Sequence, residues 1–190
     1  MELGKSLCKN IERFVALDAD EKKAVLQVFR NERYPKKTTL LQQGAGCRDF
    51  YYVETGSLRG YHCDARGKES TVMFAISDWW ITDMGAFTEG TPALMTLETL
   101  EPASVWMVGR SELEDLMKEH PKLERYFRML YQRAYIREQL RVLDVISLTV
   151  EERYSRFVAK YPDISKKVTQ RQIASYLGVT PEFLSSVKKK

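Results

Sequence analysis

The feature that most constrains this fold is a long segment without helix-breaking residues. The 25 residues LERYFRMLYQRAYIREQLRVLDVIS, shortly after Pro121, contain neither glycine nor proline. Apolar residues recur at intervals of three and four, which predicts an amphipathic helix. A small domain cannot cover so long a helix, which favours a coiled-coil contact with a second copy; packing wholly within one chain is the alternative. The residues expected in the dimer contact are Leu123, Phe127, Leu130, Ala134 and Leu140, with Ile136 and Leu143 on a neighbouring face.

Capping boxes predict the starts of three further helices. In each box a cap residue is followed three positions later by Glu, and an apolar periodic run comes next. Such side chains satisfy backbone N–H groups that a helix start leaves without partners. The pairs are Asp18 with Glu21, Ser111 with Glu114, and Thr149 with Glu152.

Between about Arg33 and Val108 the sequence is typical of short strands. Runs such as DFYYVETG, SLRGYHC and STVMFAI are β-branched and aromatic, and Gly, Asp and charged residues separate them. This spacing predicts a small antiparallel roll or barrel. Glycine is expected where strands turn, because it adopts conformations that other residues avoid. The glycines expected at turns are Gly44, Gly56, Gly60, Gly67 and Gly85.

The last 23 residues, VTQRQIASYLGVTPEFLSSVKKK, predict a helix-turn-helix. Thr169 is a cap with Gln172 at the third helical position, and Gly178 supplies the left-handed residue that ends the first helix. Thr180 caps a second helix with Pro181 at its first position. A generic helical hairpin is the alternative, but it rarely has small residues and caps in this register. The side chains expected to turn inward are Ile173, Ala174, Leu177, Phe183, Leu184 and Val187.

Charge is distributed unevenly along the chain. Residues 119–190 carry 15 Lys and Arg against 8 Asp and Glu, a net charge of +7, whereas the first part has 15 against 18, a net charge of −3. A basic end is expected to meet a polyanion, and a solvated basic face is the alternative. Apolar runs of about five residues are far shorter than the roughly 20 of a membrane helix, and no leader is recognisable, so we expect a soluble, cytoplasmic protein without a membrane partner.

The order of roll, long helix and helix-turn-helix, with T-x-x-x-I-A-x-x-L-G-V-T near the end, resembles a known superfamily. It is that of the cyclic-AMP receptor protein and the fumarate-nitrate reduction regulator, Crp/Fnr. CRDFYYVETGSLRGY, and SDWW before DMGAF, are similar to the family's roll. The resemblance implies an α+β fold with an N-terminal antiparallel β-roll (a jelly roll of the cyclic-nucleotide-binding type) and flanking helices. It implies a homodimeric transcription regulator with DNA and RNA polymerase as partners. The implied divisions are a sensor roll over 1–118, a dimerisation helix over 119–147 and a DNA-binding domain over 148–190.

The effector site departs from the family pattern. In members that bind cyclic nucleotide, a Glu holds the ribose hydroxyl, and an Arg ten residues later, followed by Ser or Thr, holds the phosphate. Asp83, Ala93 and Leu94 stand at these positions here. Loss of a charge-assisted contact costs about 1.5–3 kcal/mol, so we expect no tight binding of cyclic AMP or cyclic GMP. A pocket filled by its own side chains and one adapted to another ligand both stay open. The pocket residues are Trp79, Trp80, Asp83, Met84, Gly85, Ala93, Leu94 and Met95.

No cofactor or metal is expected. The three cysteines lack the spacing of an iron–sulfur or zinc site, and the only histidines are His62 and His120. No nucleophile elbow, P-loop or paired carboxylates occur in motif spacing, so an enzyme is not expected.

The DNA-binding end departs as well. An Arg-Glu pair and a later Arg reach base edges in the family, whereas Pro181-Glu182 and Ser186 stand here. We therefore expect altered site preference and weaker guanine readout. The printed chain ends at Lys190, so we expect no wing, with the terminal lysines supplying part of its phosphate contact. A ligand-sensing or protein-interaction dimer with residual DNA-binding helices is the alternative function. The expected DNA-binding residues are Thr169, Gln170, Thr180, Pro181, Glu182, Ser185, Ser186, Lys188 and Lys189.

Overall fold

The computed structural model describes residues 4–187, in which there are nine helices and eight strands. The helices are α1 (Lys5–Glu12), α2 (Ala19–Val28), α3 (Met84–Glu89), α4 (Arg110–Glu119), α5 (Pro121–Ser147), α6 (Val150–Lys160), α7 (Pro162–Lys167), α8 (Gln170–Leu177) and α9 (Pro181–Val187). The strands are β1 (Arg30–Tyr34), β2 (Thr39–Leu41), β3 (Asp49–Thr55), β4 (Ser57–Cys63), β5 (Glu69–Ile76), β6 (Trp79–Ile81), β7 (Thr96–Thr99) and β8 (Ala103–Gly109). None of the helices in this part of the chain combines the length and the apolarity needed to cross a bilayer.

The strands form two four-stranded sheets, ordered β1-β8-β3-β6 and β2-β7-β4-β5, with antiparallel pairing throughout. Alternate side chains of the strands point between the sheets, where Val53, Leu58, Leu97 and Val105 are completely buried. Helices α1, α2, α4 and α5 cover the outside of the first sheet through a second apolar cluster. The predicted α+β fold, with an N-terminal antiparallel roll and flanking helices, is confirmed.

The glycine predictions are confirmed at three positions and wrong at two. Gly44, Gly56 and Gly67 have positive φ angles in turns. Gly60 instead lies inside β4, where a Cβ atom would meet Met73 at 3.0 Å, and the register with β5 shifts immediately after it. Gly85 lies within α3. Close strand packing, rather than a turn, therefore explains the glycine in β4.

Two of the three predicted helix starts are confirmed, at the capping boxes of Asp18 and Thr149. The third, at Ser111, is wrong. The backbone N–H of Gly109 donates to Glu112 Oε2 at 2.9 Å, so Glu112 closes the start and α4 begins two residues before its predicted first turn.

The long helix α5 is confirmed, but its apolar stripe divides into two halves. Leu123 and Phe127 are 0% and 1% exposed because they pack against the roll of their own chain. Their prediction as dimer contacts is therefore wrong, since they have no surface left for a partner. Leu130 and Ala134 are half-buried, and Leu140 is 56% exposed. The exposed apolar residues of the second half are Tyr135, Ile136, Leu140, Val142, Leu143, Val145 and Ile146.

Candidate nucleic-acid interface and effector site

The first helix of the predicted helix-turn-helix begins and ends at the expected residues. The Thr169 hydroxyl accepts from the Gln172 N–H at 3.2 Å, and Gln172 Oε1 accepts from the Thr169 N–H at 2.9 Å. Gly178 ends α8 with φ 72°, in the left-handed region that favours glycine. These two signals fix the length of α8 and the direction in which the chain leaves it.

The second helix, α9, is capped by Thr180, whose hydroxyl accepts from the Phe183 N–H at 3.2 Å. Leu184 is completely buried and packs in one cluster with Ala174 of α8. Phe183, predicted to turn inward, is 49% exposed, so that prediction is wrong. Successive helical positions lie about 100° apart, so once Leu184 faces the core its neighbour is directed toward solvent.

The predicted DNA-binding side chains are accessible on these two helices. Glu182, Ser185 and Ser186 share one exposed face of α9, because they are three and four positions apart. The Ser186 hydroxyl donates to the Phe183 carbonyl at 2.7 Å, a bond within its own turn. Pro181 is half-buried, and Lys188 and Lys189 lie outside the described residues. Thr169, Gln170 and Thr180 are also exposed.

Two basic residues close in sequence to Thr169 and Gln170 were not identified from the motif. Lys166 in α7 and Arg171 in α8 are exposed, and neither makes an ion pair within residues 4–187. They flank Thr169 and Gln170 in the sequence, so they add positive charge where α8 begins. The net charge of +7 over residues 119–190 was the available signal, but it named no position.

The helix-turn-helix also packs directly on the roll, a contact that the sequence did not predict. The Ser175 hydroxyl accepts from the Thr71 N–H at 2.7 Å and donates to the Glu69 carbonyl at 2.9 Å. Strand β5 is at the edge of its sheet, so this hydroxyl satisfies two backbone groups that lack a strand neighbour. Lys167 of α7 makes an ion pair with Glu101 at 2.8 Å.

Apolar side chains fill the rest of this contact. Phe74 of β5 lies 5.4 Å from Tyr176 of α8 and 6.0 Å from Phe157 of α6, measured between ring centroids. Trp79 and Tyr161 meet edge to face at 5.6 Å. Burial raises the pKa of Tyr176 above its ordinary value, as expected for a phenol packed among rings. The basic end of the chain is thereby held in one orientation relative to the roll.

Inside the roll, Asp83 occupies the turn that the family resemblance assigns to a nucleotide. Its Oδ2 accepts from the Leu94 and Met95 N–H groups at 2.7 and 3.1 Å, and its Oδ1 accepts from the Ala86 N–H at 3.2 Å. Asp83 is 4% exposed, and Ala93 is buried beside this turn without adding a charge. The chain therefore supplies its own anion to these backbone donors.

Comparison with known proteins agrees with this architecture. Residues 31–120 match the family model described as the cyclic nucleotide-binding domain. The chain is 23% identical over 185 residues to the transcriptional activator protein Anr of Pseudomonas protegens, an alignment that covers 91% of this chain and 75% of Anr. Over most of its length the chain is similar to regulators of the Crp/Fnr type.

Two further comparisons extend over most of the chain. It is 24% identical over 168 residues to the cAMP-activated global transcriptional regulator CRP of Salmonella typhimurium, covering 83% of this chain and 80% of CRP. The c-di-GMP responsive global regulator CLP of Xanthomonas campestris has a similar fold, with a TM-score of 0.74 at 18% identity over 90% of each chain. The likeness in fold therefore extends over nine tenths of the chain.

A large cleft lies outside the turn of Asp83, between the roll and α5. This cleft has a volume of about 770 Å³. Of the predicted pocket residues it includes Trp79, Trp80 and Met84. The other five predicted residues do not line this cleft, and their role in an effector pocket stays a prediction. Those five are Asp83, Gly85, Ala93, Leu94 and Met95.

A chain of hydrogen bonds connects the floor of this cleft to α5. Trp80 Nε1 donates to the Tyr126 hydroxyl at 2.8 Å, and that hydroxyl donates to Asn10 Oδ1 at 2.6 Å. Burial raises the pKa of Tyr126, so the phenol stays protonated as this donation requires. Asn10 Nδ2 donates onward to the Asp78 carbonyl at 2.9 Å. Trp80 is therefore joined by hydrogen bonds to Tyr126 of α5 and, through it, to Asn10 of α1.

The three cysteines form no disulfide and no metal site in the described part of the chain. Cys8 is buried, Cys47 and Cys63 are half-buried, and all three are free. Burial raises the pKa of the Cys47 thiol, which disfavours the reactive thiolate. Within residues 4–187 no three His, Cys, Asp or Glu side chains are grouped so as to hold a metal ion.

Proposed function

We propose that this chain is a homodimeric, cytoplasmic, DNA-binding transcription regulator of the Crp/Fnr type that binds neither cyclic AMP nor cyclic GMP. Residues 1–118 would sense, 119–147 dimerise and 148–190 bind DNA. The observation that carries the proposal is the exposed face of α9 in a capped helix-turn-helix. This helix-turn-helix follows the long helix α5, which follows a roll of the cyclic-nucleotide-binding type. The role is non-catalytic, with DNA and RNA polymerase as partners.

The proposed DNA contact divides into phosphate and base readout. Lys166 and Arg171 supply charge to the phosphate backbone, which provides affinity without sequence information. Glu182 accepts from a cytosine amino group, and Ser185 and Ser186 reach base edges or phosphates. Without an arginine on this face, base discrimination is expected to be modest.

The proposed dimer uses the second half of α5. Ile136, Leu140 and Leu143 are each more than half exposed and follow a spacing of four and three. A stripe of this kind is the seam of a two-helix coiled coil. Pairing it would cover apolar surface and hold two recognition helices about one DNA turn, or 34 Å, apart.

The proposed lack of cyclic-nucleotide binding rests on electrostatics. The Asp83 carboxylate already occupies the N–H groups of Leu94 and Met95, and a cyclic phosphate brought there would meet a second negative charge. Ala93 offers no compensating cation. The incoming anion would be buried without a partner, which costs several kcal/mol.

Sequence-specific DNA binding is the deciding test. Duplexes selected from a random pool on the purified protein are compared with scrambled duplexes by fluorescence anisotropy. A selected duplex should bind at least about tenfold more tightly, equivalent to about 1.4 kcal/mol. Equal affinity for both, or no binding at low salt, contradicts the proposal. Calorimetric titration with cyclic AMP should show no binding, and micromolar affinity contradicts that part.

A protein-interaction or ligand-sensing dimer with residual DNA-binding helices is the second candidate. The docking of α8 on β5 favours it, because it holds the helix-turn-helix against the roll. This candidate predicts that binding to the selected and scrambled duplexes is equal while the dimer persists.

A further inference from the structure

We infer that the ring of Phe183 contacts a thymine methyl group in the major groove, so that a thymine at one position of each half-site is required for tight binding. This rests on the proposed DNA-binding function and deepens it, because it names a base and the side chain that recognises it. Phe183 is 49% exposed, although its apolar ring is of the kind that folding normally buries.

Phe183 is the one large apolar side chain that is exposed among residues 148–187. Its neighbours on the surface of α9 are polar, because Glu182 precedes it and Ser186 follows one turn later. A lone ring among polar groups does not form the apolar core that protein interfaces use. The major groove offers a matching surface, since the thymine methyl is the one apolar group among the donors and acceptors of the base edges.

The position of Phe183 along α9 suits base contact. The Thr180 hydroxyl accepts from the Phe183 N–H at 3.2 Å, which places this residue in the first turn of the helix. The first turn of a recognition helix is the part that reaches base edges. Leu184 is completely buried, and successive helical positions lie about 100° apart, so the ring of Phe183 is directed away from the core.

The other side chains of this face leave the methyl contact to Phe183. The Ser186 hydroxyl donates to the Phe183 carbonyl at 2.7 Å, so its proton is used within the helix and its oxygen is left to accept. Glu182 also only accepts, and its partner among the bases is the cytosine amino group. The ring extends further from the helix axis than a serine and presents apolar surface. The half-site is therefore expected to contain both a cytosine and a thymine.

The charge of the surrounding segment favours DNA over a protein as the occupant of this face. Residues 119–190 carry a net charge of +7. A basic surface attracts the phosphate backbone without regard to sequence, and base contacts then supply the discrimination. Phe183 adds no charge, so its contribution is expected in the choice of base and not in the salt dependence of binding.

Replacement of thymine by deoxyuridine tests the contact, because it removes the C5-methyl group and leaves base pairing unchanged. The duplex is one selected from a random pool on the full chain, and each thymine of its half-site is replaced in turn. Binding by the wild type, Phe183→Ala and Leu26→Ala is measured by fluorescence anisotropy. Leu26→Ala is the control, because Leu26 is 38% exposed on α2, outside the helix-turn-helix. Thermal unfolding verifies that each variant is folded, and low salt keeps weak binding measurable.

Deoxyuridine at one or more thymine positions should weaken binding of the wild type and of Leu26→Ala about fourfold, as expected for one buried methyl group. In Phe183→Ala the two duplexes should bind equally. The inference is overturned if the selected half-site lacks thymine or if deoxyuridine has no effect on the wild type at any position. It is also overturned if folded Phe183→Ala keeps the difference, or if Leu26→Ala loses it.

The same measurements separate this inference from the proposed function. If no duplex is selected from the pool, DNA-binding specificity fails and the role of Phe183 fails with it. If a selected duplex binds tightly but shows no methyl effect that depends on Phe183, the DNA-binding function stands and the thymine contact alone is overturned.

Discussion

The hydroxyl of Ser175 accepts a hydrogen bond from the backbone N–H of Thr71 at 2.7 Å, across 104 residues of sequence. The same hydroxyl donates to the Glu69 carbonyl, so one side chain of α8 completes the edge of β5. The basic helices and the roll are thereby held together by a contact made of a few identifiable atoms.

Ser175→Ala should weaken this contact. It leaves two backbone groups of β5 without their partner, and an unsatisfied buried polar group costs about 1–3 kcal/mol. We expect faster hydrogen exchange at the Thr71 amide and a lower free energy of unfolding in urea. Ser165→Ala is the control, because the Ser165 hydroxyl donates only within its own turn, to the Pro162 carbonyl at 2.9 Å. Equal exchange rates in the two variants would show that the contact is absent in solution.

The ion pair between Lys167 and Glu101 should make the contact sensitive to acid. Burial alone would raise the pKa of Glu101, but hydrogen bonds from Lys167 and Ser57 outweigh it and hold the pKa below its ordinary value of 4.5. A lowered pKa in the folded state stabilises it above pH 4.5, and this contribution is lost as the pH falls through the lowered pKa.

Glu101→Gln should therefore lower the melting temperature at neutral pH and flatten its decline in acid. Differential scanning calorimetry over a pH series measures both effects. Glu151→Gln, at an exposed carboxylate of α6, is the control and should follow the wild type. If the melting temperatures of the wild type and of Glu101→Gln agree at every pH, the ion pair between Glu101 and Lys167 does not stabilise the folded state.

Asp83→Asn should destabilise the roll. The carboxylate accepts from three backbone N–H groups, of Leu94, Met95 and Ala86, and an amide presents only one oxygen to them. We expect the free energy of unfolding to fall by about 1–3 kcal/mol in urea titrations. Glu89→Gln, at an exposed carboxylate in the last turn of the helix that Asp83 caps, should change it little. A similar decrease in the free energy of unfolding in both variants would mean that the hydrogen bonds to Asp83 do not stabilise the roll.

Ser186→Arg should strengthen binding to guanine-containing half-sites. An arginine at this exposed position of α9 could contact two guanine acceptors at once, which gives about 1–3 kcal/mol of discrimination. Competition binding with duplexes that differ by one base pair measures the gain. Ser111→Arg adds the same charge on α4, away from the helix-turn-helix. If both variants gain equally on every duplex, the effect is charge alone and α9 does not face the bases.

Local signals in the sequence predicted local structure well. The caps at Thr169 and Thr180 and the glycine at position 178 each act within a few residues, so α8 and α9 could be predicted closely. The failed start at Ser111 shows the limit of this approach, because Glu112 competes for the same helix start through the N–H of Gly109.

Long-range contacts were the part that the sequence could not provide. The periodicity of α5 gave no sign that Leu123 and Phe127 would be buried in their own chain while Leu140 stays exposed, because the pattern of apolar residues is the same along both halves. The bond from Ser175 to Thr71 joins two polar positions with no motif between them. The division of the predicted pocket between Asp83 and the cleft depends in the same way on how α5 lies over the roll.

DNA footprinting with the wild type and with Ile136→Glu/Leu143→Glu tests the central claim of a dimeric DNA-binding regulator most directly. The two substitutions place charges on the exposed stripe of α5. Val142→Glu, at an equally exposed position of the same helix that faces away from the stripe, is the control. We predict that the wild type and the control sediment as dimers and protect two half-sites about 34 Å apart. The double variant should sediment as a monomer and lose the paired footprint. A monomeric wild type, or a double variant that keeps the paired footprint, would contradict the account.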